Sequence, residues 1–215
     1  MSKSAELSDK ARATRERILD AAVNVFSRKG YHATKVDDIV GESETSKGSV
    51  YFHFPGKQQI FLALVDKFAD MLQRRVAEAV AQETDSVQRV NLALQVCLQT
   101  FAQYRSLAKI FLVQAVGLGT VFEEKRLELH DRFAGLIREY LDQAVAAGDI
   151  APVDTEMVAY AWMGAINEVV IRWVYTGQPT PDRLMGSLRE ILLRSVGVPE
   201  ERIRQSEPAL SAELV

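Results

Sequence analysis

Apolar residues recur every three or four positions along nearly all of this 215-residue chain, and no stretch alternates apolar and polar residues between hairpin turns. That period buries one stripe of a helix and does not suit a strand, so the chain reads as all-α with about nine helices. The first covers residues 10–29, with Ile18, Ala22, Val25 and Phe26 on one face and Gly30 stopping it. Thr34 is placed to N-cap a short second helix over 35–42, in which Val36, Ile39 and Val40 face inward. Ser46 caps a third over 47–53, and Pro55-Gly56 then breaks the chain. A long helix over 57–82 carries Ile60, Phe61, Leu64, Val65, Phe68, Met71, Leu72 and Val76. At ~1.5 Å per residue it is roughly 40 Å long, enough to connect two domains. Further helices are expected over 85–104, 106–116, 120–147 and 155–175. The last opens at Pro181-Asp182, carries a stripe of Leu184, Leu188, Ile191 and Leu192, and is ended by Gly197 and Pro199. The expected domains are 1–56, a three-helix head, and 57–198, a helical body, followed by a polar tail over 199–215 that is expected to be disordered.

Composition narrows the function. A hydrophobic content of 47% with 26% charged residues describes an ordinary globular chain. The single cysteine, Cys97, excludes an intrachain disulfide framework and reads as a small core residue. The three histidines, His32, His53 and His130, lack metal-ligand spacing, so neither a metal nor a cofactor is expected. An enzyme is not expected either: there is no nucleophile motif, no Glu-x-x-His pair, and Lys47-Gly48-Ser49 lacks the upstream glycines of a phosphate-binding loop. The longest apolar stretch, 158–174, is interrupted by Asn167, Glu168 and Arg172 and reads as a buried helix, not a membrane span. With no apolar leader, the chain is expected to be cytoplasmic and to have no membrane partner. Net charge is −3, but residues 1–60 hold ten Lys/Arg against eight Asp/Glu, and the remainder sixteen against twenty-one. A phosphate-facing surface therefore belongs at the N-terminal end.

The chemistry concentrates between Thr34 and Lys57. Two short helices joined by a tight connection, behind a longer supporting helix, form a helix-turn-helix pattern. In Lys47-Gly48-Ser49-Val50-Tyr51-Phe52-His53-Phe54, Val50 and Phe54 are four apart and face the core together. Lys47, Ser49, Tyr51 and His53 are left to point outward: one charge, one hydroxyl and two polar rings, suited to a groove of phosphates and base edges. Gly48 costs roughly 1 kcal/mol inside a helix, which is reasonable where another surface approaches the backbone closely. Lys57, just past the break, is placed to clamp the same DNA backbone. A small solvated unit serving protein interaction without DNA is the alternative.

The segments Thr34-Lys35-Val36-Asp37-Asp38-Ile39 and Ser46-Lys47-Gly48-Ser49-Val50-Tyr51-Phe52-His53-Phe54-Pro55-Gly56-Lys57 resemble the DNA-binding domain of the tetracycline-repressor (TetR) family. Thr14-Arg15-Glu16-Arg17-Ile18-Leu19-Asp20-Ala21-Ala22 and Phe26-Ser27-Arg28-Lys29-Gly30-Tyr31 look like that family's first helix. The resemblance covers about the first sixty residues, and it implies a ligand-responsive regulator of double-stranded DNA, a homodimeric repressor on a palindromic operator. Thr34 would hold a phosphate; Lys47 and Ser49, with Thr45 and Ser46 at the helix start and Gly48 between, would meet base edges or nearby phosphates. Tyr51, His53 and Lys57 would grip the backbone, while Phe26, Ile39, Val50 and Phe54 would be core. Lys10 and Arg12, at the very start of the first helix, read as a solvated arm or a minor-groove reader. Where the family usually has Ala-Gly and an aliphatic residue, this chain has Ser43-Glu44-Thr45. A left-handed Glu44 would be strained by roughly 1–2 kcal/mol.

The second half reads as an effector-binding and dimerisation domain. The 155–175 helix is apolar nearly all round, so it needs cover on two sides: its own domain and either a second subunit or further helices of a monomeric bundle. The resemblance implies a four-helix bundle across a two-fold axis. Candidate effector contacts are Phe101, Tyr104, Phe111, Gln114, Phe133, Asn167 and Trp173, an apolar lining with a few polar fixtures for a lipophilic small molecule. Gln114-Ala115-Val116-Gly117-Leu118-Gly119 and Asn167-Glu168-Val169-Val170 look like family members that sense fatty acyl-CoA.

Overall fold

The computed structural model describes residues 3–110, 112 and 119–205, and every regular element among them is a helix, as the periodicity requires. In chain order these are α1 (Lys3–Ala33), α2 (Val36–Ser43), α3 (Lys47–His53), α4 (Lys57–Val80), α5 (Ser86–Gln103), α6 (Arg105–Lys109), α7 (Thr120–Ala147), α8 (Thr155–Thr176), α9 (Pro181–Ser195) and α10 (Glu200–Gln205). The chain divides into two units, residues 1–68 with 106–122, and 69–105 with 123–215.

The first unit is larger than the expected 1–56 head, because the first half of α4 shares its core. Ile18, Leu19, Ala22, Val25 and Phe26 of α1, Ile39 of α2, Val50 of α3, and Ile60, Phe61, Leu64 and Phe68 of α4 are all buried. Lys67 of α4 pairs with Glu16 and Asp20 of α1 at 2.5 and 3.2 Å. Gly30 breaks α1 with φ 76°, a conformation that favours glycine, and turns the chain so that Tyr31 meets Phe61 and Phe122 at ring distances of 5.0 and 5.3 Å. Phe122, at the start of α7, brings that end of the helix into this unit. At its other end α1 starts at Lys3, earlier than the expected residue 10. Lys10 and Arg12 are therefore helical residues, and Arg12 pairs with Asp9 at 3.1 Å instead of trailing as an arm.

In the second unit, caps place the helix ends where turn chemistry puts them. Asp85 accepts from the Val87 and Gln88 amides to open α5, and Asp154 accepts from Met157 to open α8. Gly148 and Gly177, both at positive φ, follow α7 and α8. Cys97 is part-buried, and desolvation pushes its thiol up to about 12, so it is protonated and unreactive at neutral pH.

Residues 200–205 correct the expectation of a disordered tail. They form α10, which buries Ile203. Arg189 of α9, 2% exposed, donates to the Ile203 carbonyl. Arg202 pairs with Asp149 at 3.0 Å and with Asp85 at 2.5 Å. Five polar residues and one isoleucine form no apolar stripe of their own; the burial of Ile203 and tertiary contacts of Arg189 and Arg202 hold them. Residues 206–215 lie outside the described residues. Ending the chain at residue 199 would leave the buried Arg189 charge without its acceptor. That truncation should lower stability to urea by about 3 kcal/mol or more, read as a shift of the unfolding midpoint; an unchanged midpoint would show that α10 is not structural.

Candidate nucleic-acid interface

A seven-residue helix is too short to be stable alone, so α3 depends on its anchors. Ser46 accepts from the Ser49 amide at 3.1 Å, and Phe54 closes the other end by donating its amide to the Val50 carbonyl at 2.9 Å. Val50 and Phe54 are both buried, and the Arg15 guanidinium stands over the Phe54 ring at 5.1 Å. These contacts set the helix's rotation: Lys47, Gly48 and Tyr51 are exposed, while Ser49 and His53 are half-buried.

The position most opposed to Val50 belongs to Phe52, which is 81% exposed and was not among the expected contacts. It lies one turn beyond Gly48 on the same face. Spacing alone would have placed it there, but a phenylalanine two residues from a core phenylalanine reads as more core. At Gly48 an added Cβ would meet nothing within 4 Å. Packing within the chain therefore does not demand glycine there, and the outer edge of α3 is a gap followed by an aromatic ring.

The turn before α3 is cross-linked by hydroxyls. Ser43 Oγ lies 2.8 Å from Thr45 Oγ1 and 3.2 Å from the Val40 carbonyl oxygen, so the expected DNA contact Thr45 is engaged inside the turn. Glu44 is left-handed, with φ 52° and ψ 35°, and is exposed. The three carboxylates of α2 are each paired: Asp38 with Lys29 at 2.7 Å, Glu42 with Arg28 at 2.6 Å, and Asp37 with Lys47 at 2.7 Å. The bond from Lys29 holds Asp38 below its ordinary carboxylate range, and that from Arg28 does the same for Glu42. The Asp37 contact raises the Lys47 ammonium, so the lysine is a full cation at neutral pH.

Two expected phosphate contacts are engaged within the head. Thr34 is buried, and its hydroxyl donates to the Gly30 carbonyl at 2.7 Å; the N-cap of α2 is Lys35, whose amide is satisfied by Asp38 at 2.8 Å. Thr34 thus braces the end of α1. Lys57 stands over the Tyr31 ring at 4.4 Å and donates to the Tyr31 and His32 carbonyls at 2.8 and 3.3 Å. Those carbonyls end α1 and need donors, and the lysine sits where they converge.

The architecture is that of a helix-turn-helix, and comparisons identify it. A family model described as bacterial regulatory proteins, tetR family, matches residues 18–64, and one described as tetracyclin repressor-like, C-terminal domain, matches residues 83–196, more than half of the chain. The chain belongs to the TetR family. Members of this family are helix-turn-helix, DNA-binding transcription regulators. The HTH-type transcriptional regulator YdgC of Bacillus subtilis (strain 168) is 27% identical over 186 residues, 84% of this chain and 91% of the relative. The regulator FadR from Bacillus subtilis, solved in complex with stearoyl-CoA, superposes with a TM-score of 0.76 at 22% identity, covering 86% of this chain and 99% of that one. The fatty acid degradation regulator FadR from Bacillus halodurans gives 0.75 at 22% identity, over 83% and 97%.

The candidate effector residues are less gathered than those of α3. Phe101 and Trp173 are buried, on α5 and α8, and Phe133 and Asn167 are half-buried, on α7 and α8. The Arg75 guanidinium stands 5.1 Å from the Tyr104 ring and donates to its hydroxyl at 3.3 Å, while Arg105 stands 5.6 Å from the Trp173 ring. Phe111 and Gln114 lie outside the described residues. An open cleft of about 460 Å³ beside Arg75 is lined by Glu78, Ala79, Val96, Gln99, Thr100 and Gln103.

Glu44 is the one non-glycine residue at positive φ among the described residues. Glu44→Gly should stabilise the first unit by about 1 kcal/mol, seen as a higher unfolding midpoint. A lower midpoint would show that the left-handed turn is not strained.

Proposed function

We propose that this chain is a homodimeric repressor that binds a palindromic operator through α3 and is released by a lipophilic effector. The observation that carries the reading is the rotation of α3, which turns Lys47, Gly48, Tyr51 and Phe52 away from the core while burying Val50 and Phe54. Lys47 supplies charge for phosphates or a guanine edge, Ser46 and Ser49 supply hydroxyls, and Tyr51 and His53 supply polar rings for the backbone. Phe52 joins them as an apolar surface suited to thymine methyl groups.

A dimer is supported by the apolar face that one chain leaves uncovered. Met157 of α8 and Ile191 of α9 are each 62% exposed, and Tyr160 and Tyr175 stand out on the same helix as Met157. A second copy related by a two-fold axis would cover this face and pair the two α3 helices about one DNA turn apart, roughly 34 Å. No helix among the described residues is long and apolar enough to cross a membrane, and we place the protein in the cytoplasm with its DNA.

For the effector, the neighbour crystallised with stearoyl-CoA supports a fatty acyl-CoA. Because α4 contributes residues to both units, occupancy of the second would be transmitted by displacement of that helix. The shift is bounded by the ligand's difference in affinity between the bound and released forms.

Purified protein should retain specific genomic fragments in a gel shift, with affinity falling steeply as salt rises. Lys47→Ala and Tyr51→Ala should each weaken retention by about tenfold or more while sedimentation still shows a dimer. Retention that does not depend on salt, or variants that bind like wild type, would overturn the DNA-binding reading and favour a protein-interaction module. Stearoyl-CoA should release the retained fragments; if it leaves them bound, the acyl-CoA assignment fails while DNA binding stands.

A further inference from the structure

Of the three ion pairs made by α2, two run back to the supporting helix, where Lys29 and Arg28 of α1 hold Asp38 and Glu42. The third is different in kind. Asp37 Oδ1 lies 2.7 Å from the ammonium of Lys47, the first residue of α3. Both side chains are well exposed, at 67% and 60%, so the pair adds little to stability. What it does is occupy the recognition helix's single lysine before DNA arrives.

We infer that Asp37 competes with DNA for Lys47 and thereby suppresses binding to unspecific sequence. The inference rests on the DNA-binding reading above. A random duplex offers Lys47 little more than a screened phosphate, which replaces one exposed ion pair with another of similar worth. A site that aligns acceptors on a base edge with the ammonium offers more, and repays the loss of Asp37. The same carboxylate adds its own repulsion toward phosphate, but that effect does not require Lys47, so the two contributions separate by experiment.

The test uses the full chain as wild type, Asp37→Asn, Lys47→Gln and the double variant. Each is titrated with a labelled random-sequence duplex across a salt series, and with fragments that the wild type selects. Asp37→Asn should tighten random-duplex binding about three- to fivefold and steepen its salt dependence by about 0.9 in the logarithmic slope, one further phosphate neutralised. Binding to the selected fragments should tighten less, so discrimination falls. In the Lys47→Gln background, Asp37→Asn should tighten binding much less, by the loss of that repulsion alone. The inference is overturned if Asp37→Asn leaves random-duplex binding unchanged or weaker, or tightens it equally without Lys47. Either result leaves the DNA-binding reading intact. A wild type that shows no salt-dependent retention of duplex removes that reading, and this inference with it.

Discussion

The structure's function hangs on the anchoring of seven residues. Helix α3 is held by its Ser46 cap and by the burial of Val50 and Phe54, and by little else within its own length. Burying two apolar side chains is worth roughly 3–6 kcal/mol, which offsets a large part of the entropy cost of ordering so short a helix. Because those two positions are four apart, they define its rotation as well as its existence, and what faces outward follows. The supporting helices are arranged around this need. Ile39, Phe26 and the first half of α4 make a core under α3, and Lys67 ties α4 to α1 through Glu16 and Asp20.

Around that anchor, polar side chains are shared between holding the head together and meeting a ligand. Thr34 and Lys57 satisfy carbonyls near the Gly30 break, Thr45 bonds to Ser43, and Asp38 and Glu42 neutralise the cations of α1. Lys47 pairs with the exposed Asp37 of α2, and Tyr51 and Phe52 stand exposed. An acidic chain with net charge −3 can present a recognition surface because its charge is uneven: residues 1–60 hold ten Lys/Arg against eight Asp/Glu.

Much of the fold was legible because helix starts and stops are chemical. Ser46 and Pro55-Gly56 marked α3 to the residue, and Asp154 and Gly177 marked α8 to within one residue. Contacts made by tertiary structure were not legible. Thr34 looks like an N-cap in sequence, but the Gly30 break brings a carbonyl to its hydroxyl and Lys35 takes the cap position. Lys57 looks free until Tyr31 is placed beneath it. Helix α10 has no apolar stripe and exists through Arg189 and Arg202. Phe52 went unassigned because apolar residues in sequence are counted as core. The effector contacts suffered from the same ambiguity, since an apolar lining such as Phe101 and Trp173 is also what any core contains.

The most direct measurement is methylation interference on a DNA fragment that the protein retains, since dimethyl sulfate modifies guanine N7 in the major groove and adenine N3 in the minor groove. Two α3 helices held by a two-fold dimer should give interference at guanines in two symmetric patches about 10–10.5 base pairs apart, on one face of the duplex. A single patch, a pattern confined to adenine N3, or no interference on a bound fragment would contradict the account.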